Sequence, residues 1–571
     1  MNWIHPVKKM TLKQAPFSAL TSAVLLALYG GSVAAQTAPA PNAGQVLRDL
    51  QQSPTPIPPQ SLPLQRIEEE AKPVPGDQAK VLVKSVVIAG NQEVPSAALQ
   101  PLVAGLVGSE QTLAQLNAAA RRITNYYRRE GFAVARAYLP AQDITNGVIT
   151  INVIEGRISS HRISNKSLLS DETANAYIGQ VKDGDVIKSD QIDRGLLLLQ
   201  DTPGVSSSRA TLQPGASVGT SELLIEVNPA SPYNGSVALD NYGSRYTGEY
   251  RLGGNFNLAS PLKIGDQLSF SGLTSGSGLN FGRVAYQVPV GSDGLRVGAA
   301  YFNTRYKLGR EFASLLANGT ASSTSVFAGY PFIRSQTRNL SGTASYEDKT
   351  TNDRVDATAT QTGKKLRVSS LGLAGSLQDA LWGGGINFFD LTLVMGQLNI
   401  QSPTALLIDA ASAKTNGSYS RVSYNISRLQ RLGNTTLLSA SFSGQQAGKN
   451  LDSSEKFSLG GLGGVRAYPA GEASGDEGYR GTLELRQTLL DNVQGTLFYD
   501  FGTVKINKNT FGAAASNSRN LAGAGIGLNA TVSKVALKVA LAWRTDGGLP
   551  TSLPASAVRT PTLYVQATFA F

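Results

Sequence analysis

Histidine and cysteine, which carry much of the nucleophilic and metal-binding chemistry of proteins, are nearly missing from this sequence. Its 571 residues include no cysteine and two histidines, His5 and His161. Without cysteine the chain has no disulfide bond, no thiolate nucleophile and no cysteine metal site. One enzyme motif is present all the same, because Gly215-Ala216-Ser217-Val218-Gly219 matches the G-x-S-x-G nucleophile elbow of serine hydrolases.

That elbow requires a strand before the serine, a helix after it and a histidine base further along the chain. Here a second strand-like run, residues 222–227, follows the motif, and both histidines precede it. We therefore interpret residues 215–219 as a hairpin turn. Since the sequence also shows no P-loop, we predict that the protein is not an enzyme and has no catalytic residue, no bound cofactor and no metal site.

An arginine embedded in a glycine-rich segment is the second candidate for site chemistry. Residues 460–481 read GGLGGVRAYPAGEASGDEGYRG, which has the composition of a long loop. A strand-like run at residues 497–502 follows and carries one aspartate. The candidate residues are Val465, Arg466, Ala467 and Tyr468 in the loop, and Phe498, Asp500 and Gly502 in the strand.

The elements that must position these residues are strands. Residues 230–571 consist of short alternating segments broken by Gly, Asn, Asp and Ser, and the alternation is clearest in residues 562–571. An apolar face that alternates with a mixed or polar one is typical of strands facing lipid, and strands in hydrocarbon must close into a barrel. At about 10 residues per strand plus turns, this length predicts roughly 16 antiparallel strands. The alternative is a soluble β-sandwich or propeller.

The predicted strand turns residues 497, 499 and 501 toward lipid and therefore turns Asp500 toward the lumen. A carboxylate on an enclosed wall needs a partner. Arg466, on a loop long enough to fold back inside, can supply a forked, charge-assisted hydrogen bond. We expect a flexible loop whose resting position is set by this one contact, in a wet pore where water can rehydrate Asp500 if Arg466 is removed. On spacing alone, an exposed loop with a hydrated arginine is an equal alternative.

The N-terminal residues predict export. Residues 1–35 combine Lys8, Lys9 and Lys13 with a mostly apolar run and with small residues at their end, which is the pattern of a secretory signal peptide. A transmembrane anchor is the alternative, but the apolar run is short of the roughly 20 residues that a bilayer span needs. The formal net charge of +11 is spread along the chain, so we predict no nucleic-acid partner.

A short helix and a linker are predicted next. Val46, Leu47 and Leu50 lie on one side of a helix at residues 43–52, within an N-terminal region of residues 36–52. Residues 53–79 are proline-rich and charged, which predicts an extended linker. At about 3 Å per residue such a linker lets the helix enter a pore. We therefore predict that this helix plugs the barrel.

Two copies of one small domain are predicted between the linker and the barrel. Residues 80–157 show a strand, two helices and two strands; the helices fall at residues 96–107 and 113–130, and the last strands at 133–139 and 148–154. The same order recurs over residues 158–229. It predicts a pair of α+β domains that repeat in pattern more than in letters.

Four segments resemble the superfamily of outer-membrane proteins that combine POTRA domains with a barrel. Residues 121–158, RRITNYYRREGFAVARAYLPAQDITNGVITINVIEGRI, are similar to the first POTRA domain of two-partner secretion transporters. Residues 239–272, LDNYGSRYTGEYRLGGNFNLASPLKIGDQLSFSG, resemble the start of their barrel. Residues 465–468 resemble the Val-Arg-Gly-Phe/Tyr loop motif, with Ala467 where glycine is usual, and residues 498–502 match the Phe-x-Asp-x-Gly strand motif. The resemblance implies that Arg466 contacts Asp500 inside the pore.

The resemblance implies the B component of a two-partner secretion system, of the type that exports haemolysins and adhesins. The expected fold is an all-β transmembrane barrel of about 16 antiparallel strands, preceded by two small α+β POTRA domains and an N-terminal plug helix. The barrel would lie in the bacterial outer membrane and the POTRA domains in the periplasm. The expected partners are one large unfolded β-rich exoprotein, outer-membrane lipid and the barrel-assembly machinery, whose insertion signal the C-terminal run with Phe569 and Phe571 resembles.

Three other functions are open at this point. A barrel-assembly factor of the same superfamily would usually carry more POTRA domains than the two for which residues 1–229 have room. A diffusion porin would have no POTRA domains. An outer-membrane hydrolase with a related barrel would need a catalytic domain and a histidine after Ser217.

Overall fold

The computed structural model of this chain describes residues 40–51, 80–144, 146–179, 181–512 and 516–571. The predicted signal peptide, residues 1–35, and the predicted linker, residues 53–79, lie outside the described residues. No helix in the described part of the chain combines the length and the apolar character needed to cross a membrane.

The first α+β domain follows the expected order of elements. Its elements are β1 (Lys80–Leu82), β2 (Ser85–Ala89), α2 (Ser96–Leu99), β3 (Glu110–Thr112), α3 (Leu113–Arg129), β4 (Arg136–Tyr138) and β5 (Val148–Ile154), after a separate helix α1 (Ala43–Gln51). Strand β5 lies between β2, to which it is parallel, and β4, to which it is antiparallel. Its alternate residues Ile149 and Ile151 are fully buried against Ile123 and Tyr127 of α3, so the period-two pattern forms the core.

Two predicted boundaries in this domain were wrong. The helix predicted at residues 96–107 ends after four residues and continues as two separate 3₁₀ turns, Gln100–Leu102 and Ala104–Leu106. Pro101 supplies no N–H and crowds the preceding turn, so a continuous α-helix is not possible there. The strand predicted at residues 133–139 is shortened to β4 because the backbone N–H of Ala135 donates to the Phe132 carbonyl in a turn.

The second α+β domain repeats this order. It contains β6 (Arg157–Asn165), α4 (Asp171–Ile178), α5 (Ser189–Gln200), β7 (Val205–Pro214) and β8 (Thr220–Pro229). Strand β8 again lies centrally, parallel to β6 and antiparallel to β7. Residues 215–219 connect β7 to β8, so the G-x-S-x-G segment is a hairpin turn, as predicted. The ring of His161, on β6, contacts the Asp183 carboxylate at 2.9 Å.

The strands after Pro229 close into a barrel of sixteen antiparallel strands. They are β9 (Tyr233–Asp240), β10 (Arg251–Ala259), β11 (Gln267–Thr274), β12 (Leu279–Val290), β13 (Leu295–Lys307), β14 (Ala317–Arg334), β15 (Arg338–Val355), β16 (Thr360–Asp379), β17 (Gly385–Ile400), β18 (Gly417–Arg431), β19 (Thr436–Ala447), β22 (Glu477–Leu490), β23 (Val493–Lys505), β24 (Ser518–Val532), β25 (Val535–Asp546) and β26 (Thr562–Ala570). Two short strands, β20 (Phe457–Ser458) and β21 (Ser474–Gly475), lie in the long connection between β19 and β22, and helix α6 (Pro403–Ala411) follows β17.

The outer surface of the barrel is apolar in the alternating manner that the sequence predicts. In β26, Leu563, Val565 and Phe569 are exposed while Tyr564 between them is buried. The barrel closes where β26 pairs with β9, and this seam is short, running from Gln566–Asp240 to Ala570–Ser236. The closed ring leaves no unpaired strand edge, as strands surrounded by hydrocarbon require.

The second domain is fixed to one end of the barrel by specific polar contacts. The Arg334 guanidinium at the end of β14 donates to both oxygens of Asp201 at 2.6 and 2.8 Å. Arg194 of α5 donates to the Pro331 carbonyl at 3.0 Å. A Cβ at Gly294, between β12 and β13, would approach the Leu198 side chain to 2.7 Å. The domain therefore packs directly on the strand connections at this end, which we call the domain end of the barrel.

Candidate functional site

The connection between β19 and β22 folds back into the barrel; we call residues 448–476 the pore loop. Strands β20 and β21 pair and bring its two legs together. At its tip the Val465 N–H donates to the Leu459 carbonyl at 2.7 Å. A Cβ at Gly464 would lie 1.9 Å from the same carbonyl oxygen, so the close approach requires glycine at that position.

The structure brings Arg466 and Asp500 together. The Arg466 Nε donates to Asp500 Oδ2 at 2.8 Å and its Nη2 donates to Oδ1 at 2.8 Å, which forms a two-pronged pair. The Arg466 backbone N–H adds a hydrogen bond of 3.1 Å to Oδ2, and the Thr482 hydroxyl donates to Oδ1 at 2.9 Å. The carboxylate of Asp500 therefore has four donors, which fix both the side chain and the backbone of the loop tip.

Neighbouring wall residues complete the surroundings of the guanidinium. Its carbon atom lies 3.4 Å from the centre of the Phe498 ring, an arrangement that favours a cation over the aromatic face. Its Nη1 donates to Glu484 at 3.2 Å, and Glu484 in turn accepts from Arg486 at 2.7 Å. Phe498 and Asp500 thus hold Arg466 from the same face of β23, as their spacing of two residues requires.

The other loop residues of the motif are packed against the wall. Val465, Ala467 and Tyr468 are buried. The Tyr468 hydroxyl lies 2.6 Å from the Asp546 carbonyl, and the Tyr468 carbonyl accepts from the Tyr564 hydroxyl at 3.1 Å. The loop tip therefore bonds to β25 and β26 as well as to β23.

Close packing between the loop tip and the barrel wall explains why small residues stand at positions 467 and 502. Ala467 is not among the residues with positive φ, so the usual glycine is not needed for backbone conformation here. Its methyl group faces Gly523, where an added Cβ would come within 2.5 Å of the Ala467 Cβ. At Gly502 a Cβ would lie 2.7 Å from the Leu459 side chain. Glycines in the wall therefore make room for the loop.

The expectation that water could rehydrate the Asp500 carboxylate in a wet pore was wrong. Asp500 is 1% exposed and Phe498 is 5% exposed. The loop tip itself excludes water, because Leu459, Val465 and Tyr468 pack with Phe498, Val504 and Leu521 into one apolar cluster. The Asp500 carboxylate therefore meets Arg466 in a dry environment and depends on it for compensation of its charge, whereas the Arg466 side chain is 14% exposed and also contacts Glu484.

The expectation that one contact holds the loop was also wrong, because its first leg is bound to the wall by further ion pairs. Glu455 is buried and contacts Lys349 at 3.2 Å and Arg421 at 2.9 Å. Asp452 contacts Lys364 at 2.6 Å. The cations come from β15, β16 and β18, so the first leg is attached to a part of the wall distant in sequence from β23.

The second leg has its own attachment. Glu472 is buried and accepts from the backbone N–H groups of Thr551 and Ser552, both at 2.9 Å, and it pairs with Arg519 at 2.9 Å. Asp476 pairs with Lys456 of the first leg at 2.6 Å. These carboxylates were not among the site residues predicted from the sequence. The signal available was a set of acidic residues in a glycine-rich loop that would otherwise be buried without counter-charges.

Helix α1 lies inside the barrel. Ala43 and Val46 are buried against Tyr246, Leu279 and Tyr306, Leu47 is 2% exposed, and Leu50 packs at the margin of the same cluster. The Ala43 N–H donates to Asp353 of β15 at 2.7 Å. The predicted apolar side of the helix therefore faces the inner wall.

The same helix touches the pore loop. The Arg48 guanidinium donates to the Ser453 carbonyl at 3.3 Å, and the Ser453 hydroxyl donates to Asn42 at 2.8 Å. A Cβ at Gly44 would lie 2.3 Å from the Ser453 Oγ and 2.8 Å from the Ser454 nitrogen. Glycine at this position lets the helix rest directly on the first leg of the loop.

The C-terminal residues complete the seam of the barrel. Phe569 and Phe571 are both exposed on the outer side, and their ring centres are 6.1 Å apart. Phe571 and Gly235 exchange two backbone hydrogen bonds, each of 3.1 Å. The chain end thus contributes both aromatic surface and backbone pairing beside β9.

A family model described as haemolysin secretion/activation protein ShlB/FhaC/HecB matches residues 219–530. This protein belongs to that family. A second model, the POTRA domain of ShlB type, matches residues 81–156 and so covers the first α+β domain. The heme/hemopexin transporter protein HuxB of Haemophilus influenzae is 30% identical over 80% of this chain and 82% of its own length. The outer membrane transporter CdiB of Dickeya dadantii is 24% identical over 80% of both chains.

Solved structures agree with the fold. CdiB from Escherichia coli superposes with a TM-score of 0.70 over 92% of this chain and 96% of its own, at 21% identity. BamA from Haemophilus ducreyi, lacking POTRA domains 1–3, reaches a TM-score of 0.50 at 14% identity. With the family established, the protein is an outer-membrane transporter of the two-partner secretion type, and its POTRA domains lie in the periplasm. The alternative of an assembly factor is not favoured.

Proposed function

We propose that this transporter moves one large, unfolded, β-rich exoprotein of the adhesin or haemolysin type through the barrel interior without catalysis of its own. The proposal rests on the observation that two elements, the pore loop and α1, lie inside the lumen of the barrel. The pore loop and α1 occupy it as separate elements, attached to the wall by ion pairs, hydrogen bonds and apolar packing. A passage for an extended chain then requires only that these elements move, while the sixteen-strand wall stays closed.

The periplasmic domains are proposed to receive the exoprotein by strand addition. In the described part of the chain, β2 pairs with β5 alone, so its other edge is available; the outer edge of β6 is partly taken by a bridge between Arg157 and Val186. An extended segment can add to such an edge through backbone hydrogen bonds, with pockets for alternate side chains. Val87 on β2 is 46% exposed and offers an apolar contact beside that edge.

The helix α1 and the Arg466–Asp500 pair are proposed to set the resting state. Helix α1 acts as the plug, and the pair fixes the loop tip at the wall. The barrel-assembly machinery is the proposed partner during biogenesis, with the strand that ends in Phe569 and Phe571 as its insertion signal. The surrounding outer-membrane lipid is the proposed partner of the exposed apolar band.

A cysteine cross-linking experiment tests the receiving edge. Because the natural chain has no cysteine, Val87→Cys introduces a single thiol. We expect Val87→Cys to cross-link to cysteines placed in the N-terminal region of an exoprotein encoded beside this transporter, when that exoprotein is stalled during export. The matched control is Val218→Cys, at the tip of the β7–β8 hairpin and 92% exposed. Equal cross-linking at both positions would show contact by collision and would contradict strand addition at β2.

A further inference from the structure

The connection between β16 and β17 carries an exposed tryptophan in a strained backbone conformation. Trp382 has φ 51° and ψ 41° and is 78% exposed. Bulky side chains are rare in this left-handed region, whereas glycine adopts it freely. The next two residues, Gly383 and Gly384, also have positive φ. Trp382 therefore occupies a position that suits glycine, in a turn already rich in glycine, and its large side chain is presented outward together with Leu381, which is 52% exposed.

A polar network holds this turn in place. The Gln430 amide nitrogen lies 3.0 Å from the Trp382 and Gly384 carbonyl oxygens and 3.1 Å from that of Leu381. The Asp379 carboxylate accepts from the Leu381 N–H at 3.0 Å. Gln430 is only 5% exposed. The turn is therefore folded against the end of β18 and covers Gln430. It lies at the domain end of the barrel, which is the periplasmic end, because Leu377 near the end of β16 pairs with Arg338 beside the β14–β15 connection.

The covered face is the outer face of the barrel. On β18, Tyr419 is buried in a cluster inside the barrel, and Arg421 pairs with Glu455 of the pore loop, so odd-numbered residues point inward. Ile426 is 59% exposed, and Gln430 has the same parity as Ile426. Because side chains alternate along a strand, the turn that carries Trp382 lies on the lipid-facing side.

The apolar band ends at this level. Phe389 and Ile426 are paired neighbours on β17 and β18, and both are exposed. The next outward-facing pair toward the periplasm is Asn387 and Arg428. Arg428 donates to both oxygens of Asp379 at 2.7 and 2.9 Å and to Asn387 at 2.8 Å. On β17 and β18 the outer surface thus changes from an apolar pair to a polar cluster within two residues, while Leu377 of β16, which pairs with Asn387, is still exposed. The turn that carries Trp382 follows directly and lies at the periplasmic end of the apolar band.

We propose that Leu381, Trp382 and Leu432 form an anchor that inserts among the phospholipid headgroups and upper acyl chains of the periplasmic leaflet. Leu432, 55% exposed, belongs to the adjacent β18–β19 turn. The anchor is continuous with the lipid-facing band, and an indole, which is apolar with one N–H donor, is suited to the membrane interface. Trp543 is exposed on β25 near its opposite, extracellular end, so the two tryptophans lie at the two boundaries of the band.

The place of the anchor among the sixteen strands of the barrel indicates what it does. Strands β16 and β17 are the eighth and ninth of the sixteen, half-way round the barrel from the short β26–β9 seam. The anchor therefore fixes the depth of the wall opposite the seam. Lipid contact by the anchor does not depend on the proposed export mechanism.

Depth-dependent fluorescence quenching tests the proposal. The chain has three tryptophans, Trp3, Trp382 and Trp543, so a Trp3→Phe/Trp543→Phe variant leaves Trp382 as the single indole. In phosphatidylcholine and phosphatidylethanolamine vesicles with brominated acyl chains, we expect its emission to be quenched, most strongly when the bromine is near the carbonyl, and to be little affected by iodide. The Trp3→Phe/Trp382→Phe variant, which reports Trp543, is the positive control. Emission quenched by iodide and insensitive to bromine would place Trp382 in water and overturn the proposal.

A second variant tests whether the polar network positions the anchor. In the Trp3→Phe/Trp543→Phe background, Gln430→Ala removes the donor to the turn, and we expect a clear loss of quenching by brominated lipid. The matched control is Asn492→Ala, because Asn492 makes a comparable bond, 3.1 Å to the Thr531 carbonyl, in another periplasmic turn; there quenching should persist. Heat-modifiable migration verifies that each barrel is folded. Unchanged quenching in folded Gln430→Ala would overturn the assignment of the turn as a held anchor.

Discussion

The Arg466 guanidinium and the Asp500 carboxylate form a two-pronged ion pair with both N···O distances at 2.8 Å, in which the Asp500 side chain is 1% exposed and that of Arg466 14%. Because the buried Asp500 carboxylate has no solvent to replace Arg466, removing Arg466 leaves Asp500 uncompensated, whereas Arg466 keeps its contact with Glu484 if Asp500 is removed. The pair therefore couples the position of the loop tip to the stability of the wall. Because Asp500 is buried, loss of this pair should lower the free energy of unfolding by more than loss of a solvent-exposed ion pair would.

We predict that Arg466→Ala lowers the free energy of unfolding of the barrel by about 3–5 kcal/mol, since Asp500 loses its counter-charge in a dry site. Urea unfolding of the protein in detergent measures this change. The matched control is Arg367→Ala, whose side chain is 68% exposed and 3.7 Å from Asp348; an exposed pair should contribute no more than about 1 kcal/mol. Equal losses in the two variants would contradict the buried character of the Arg466 pair.

Secretion should follow the same coupling. At matched outer-membrane levels we expect Arg466→Ala and Asp500→Ala each to reduce export, because the loop tip no longer rests at β23. The Arg466→Ala/Asp500→Ala double variant should lose less than the sum of the two, since both changes remove one contact. Export of the exoprotein into the medium is the measurement. Fully additive defects would mean that the two residues act separately.

The further ion pairs of the pore loop predict that it does not leave the lumen when the tip is released. Arg466→Ala keeps the attachments of Glu455 and Glu472, so conductance in planar bilayers should rise only slightly. Combining Arg466→Ala with Glu455→Gln, which weakens the hold of Lys349 and Arg421 on the first leg, should give a much larger rise. A double variant with the conductance of Arg466→Ala alone would show that the first leg is not an attachment.

Gly44→Ala should displace the plug helix. The added methyl group would lie 2.3 Å from the Ser453 Oγ, although alanine by itself favours a helix more than glycine does. A rise in channel conductance therefore reports the lost contact and not a melted helix. Deletion of residues 36–52 gives the fully unplugged reference. The control is Gly433→Ala, where an added Cβ meets no described atom within 4 Å. If Gly44→Ala conducts like the unaltered protein, α1 does not close the pore at this contact.

Deletion of Phe571 should lower the amount of barrel in the outer membrane while expression continues. The structure separates two causes, because Phe571 offers an exposed ring and also exchanges two backbone hydrogen bonds with Gly235. Phe571→Ala keeps the backbone bonds and removes the ring. We expect Phe571→Ala to insert poorly, as a signal read through the aromatic side chain requires. Normal levels of heat-modifiable Phe571→Ala, with low levels of the deletion, would assign the effect to seam closure instead.

The sequence alone was sufficient for features that depend on neighbouring residues, such as which face of a strand or helix is apolar. The alternation of residues 562–571 identified the lipid-facing side of β26, because side chains on a strand alternate with a period of two whatever the strand packs against. The same reasoning placed Asp500 on the inner side of β23. The run after Ser217 excluded a nucleophile elbow, and Val46 and Leu47 marked the buried side of α1. At residues 96–107 the helical composition was misleading because one proline outweighed it.

Only the tertiary structure decided which charges meet and how dry their surroundings are. Lys349 and Glu455 lie 106 positions apart, and Asp201 and Arg334 lie 133 apart. Such distant residues meet because of the order of the strands around the barrel and the path of the pore loop inside it. Neither can be read from a short window of sequence. Burial of Asp500 likewise arises from Leu459, Tyr468 and Phe498 packing together from separate elements. A carboxylate has the same local sequence in a wet pore and in a packed one, so its energy is set by the neighbours that folding assembles.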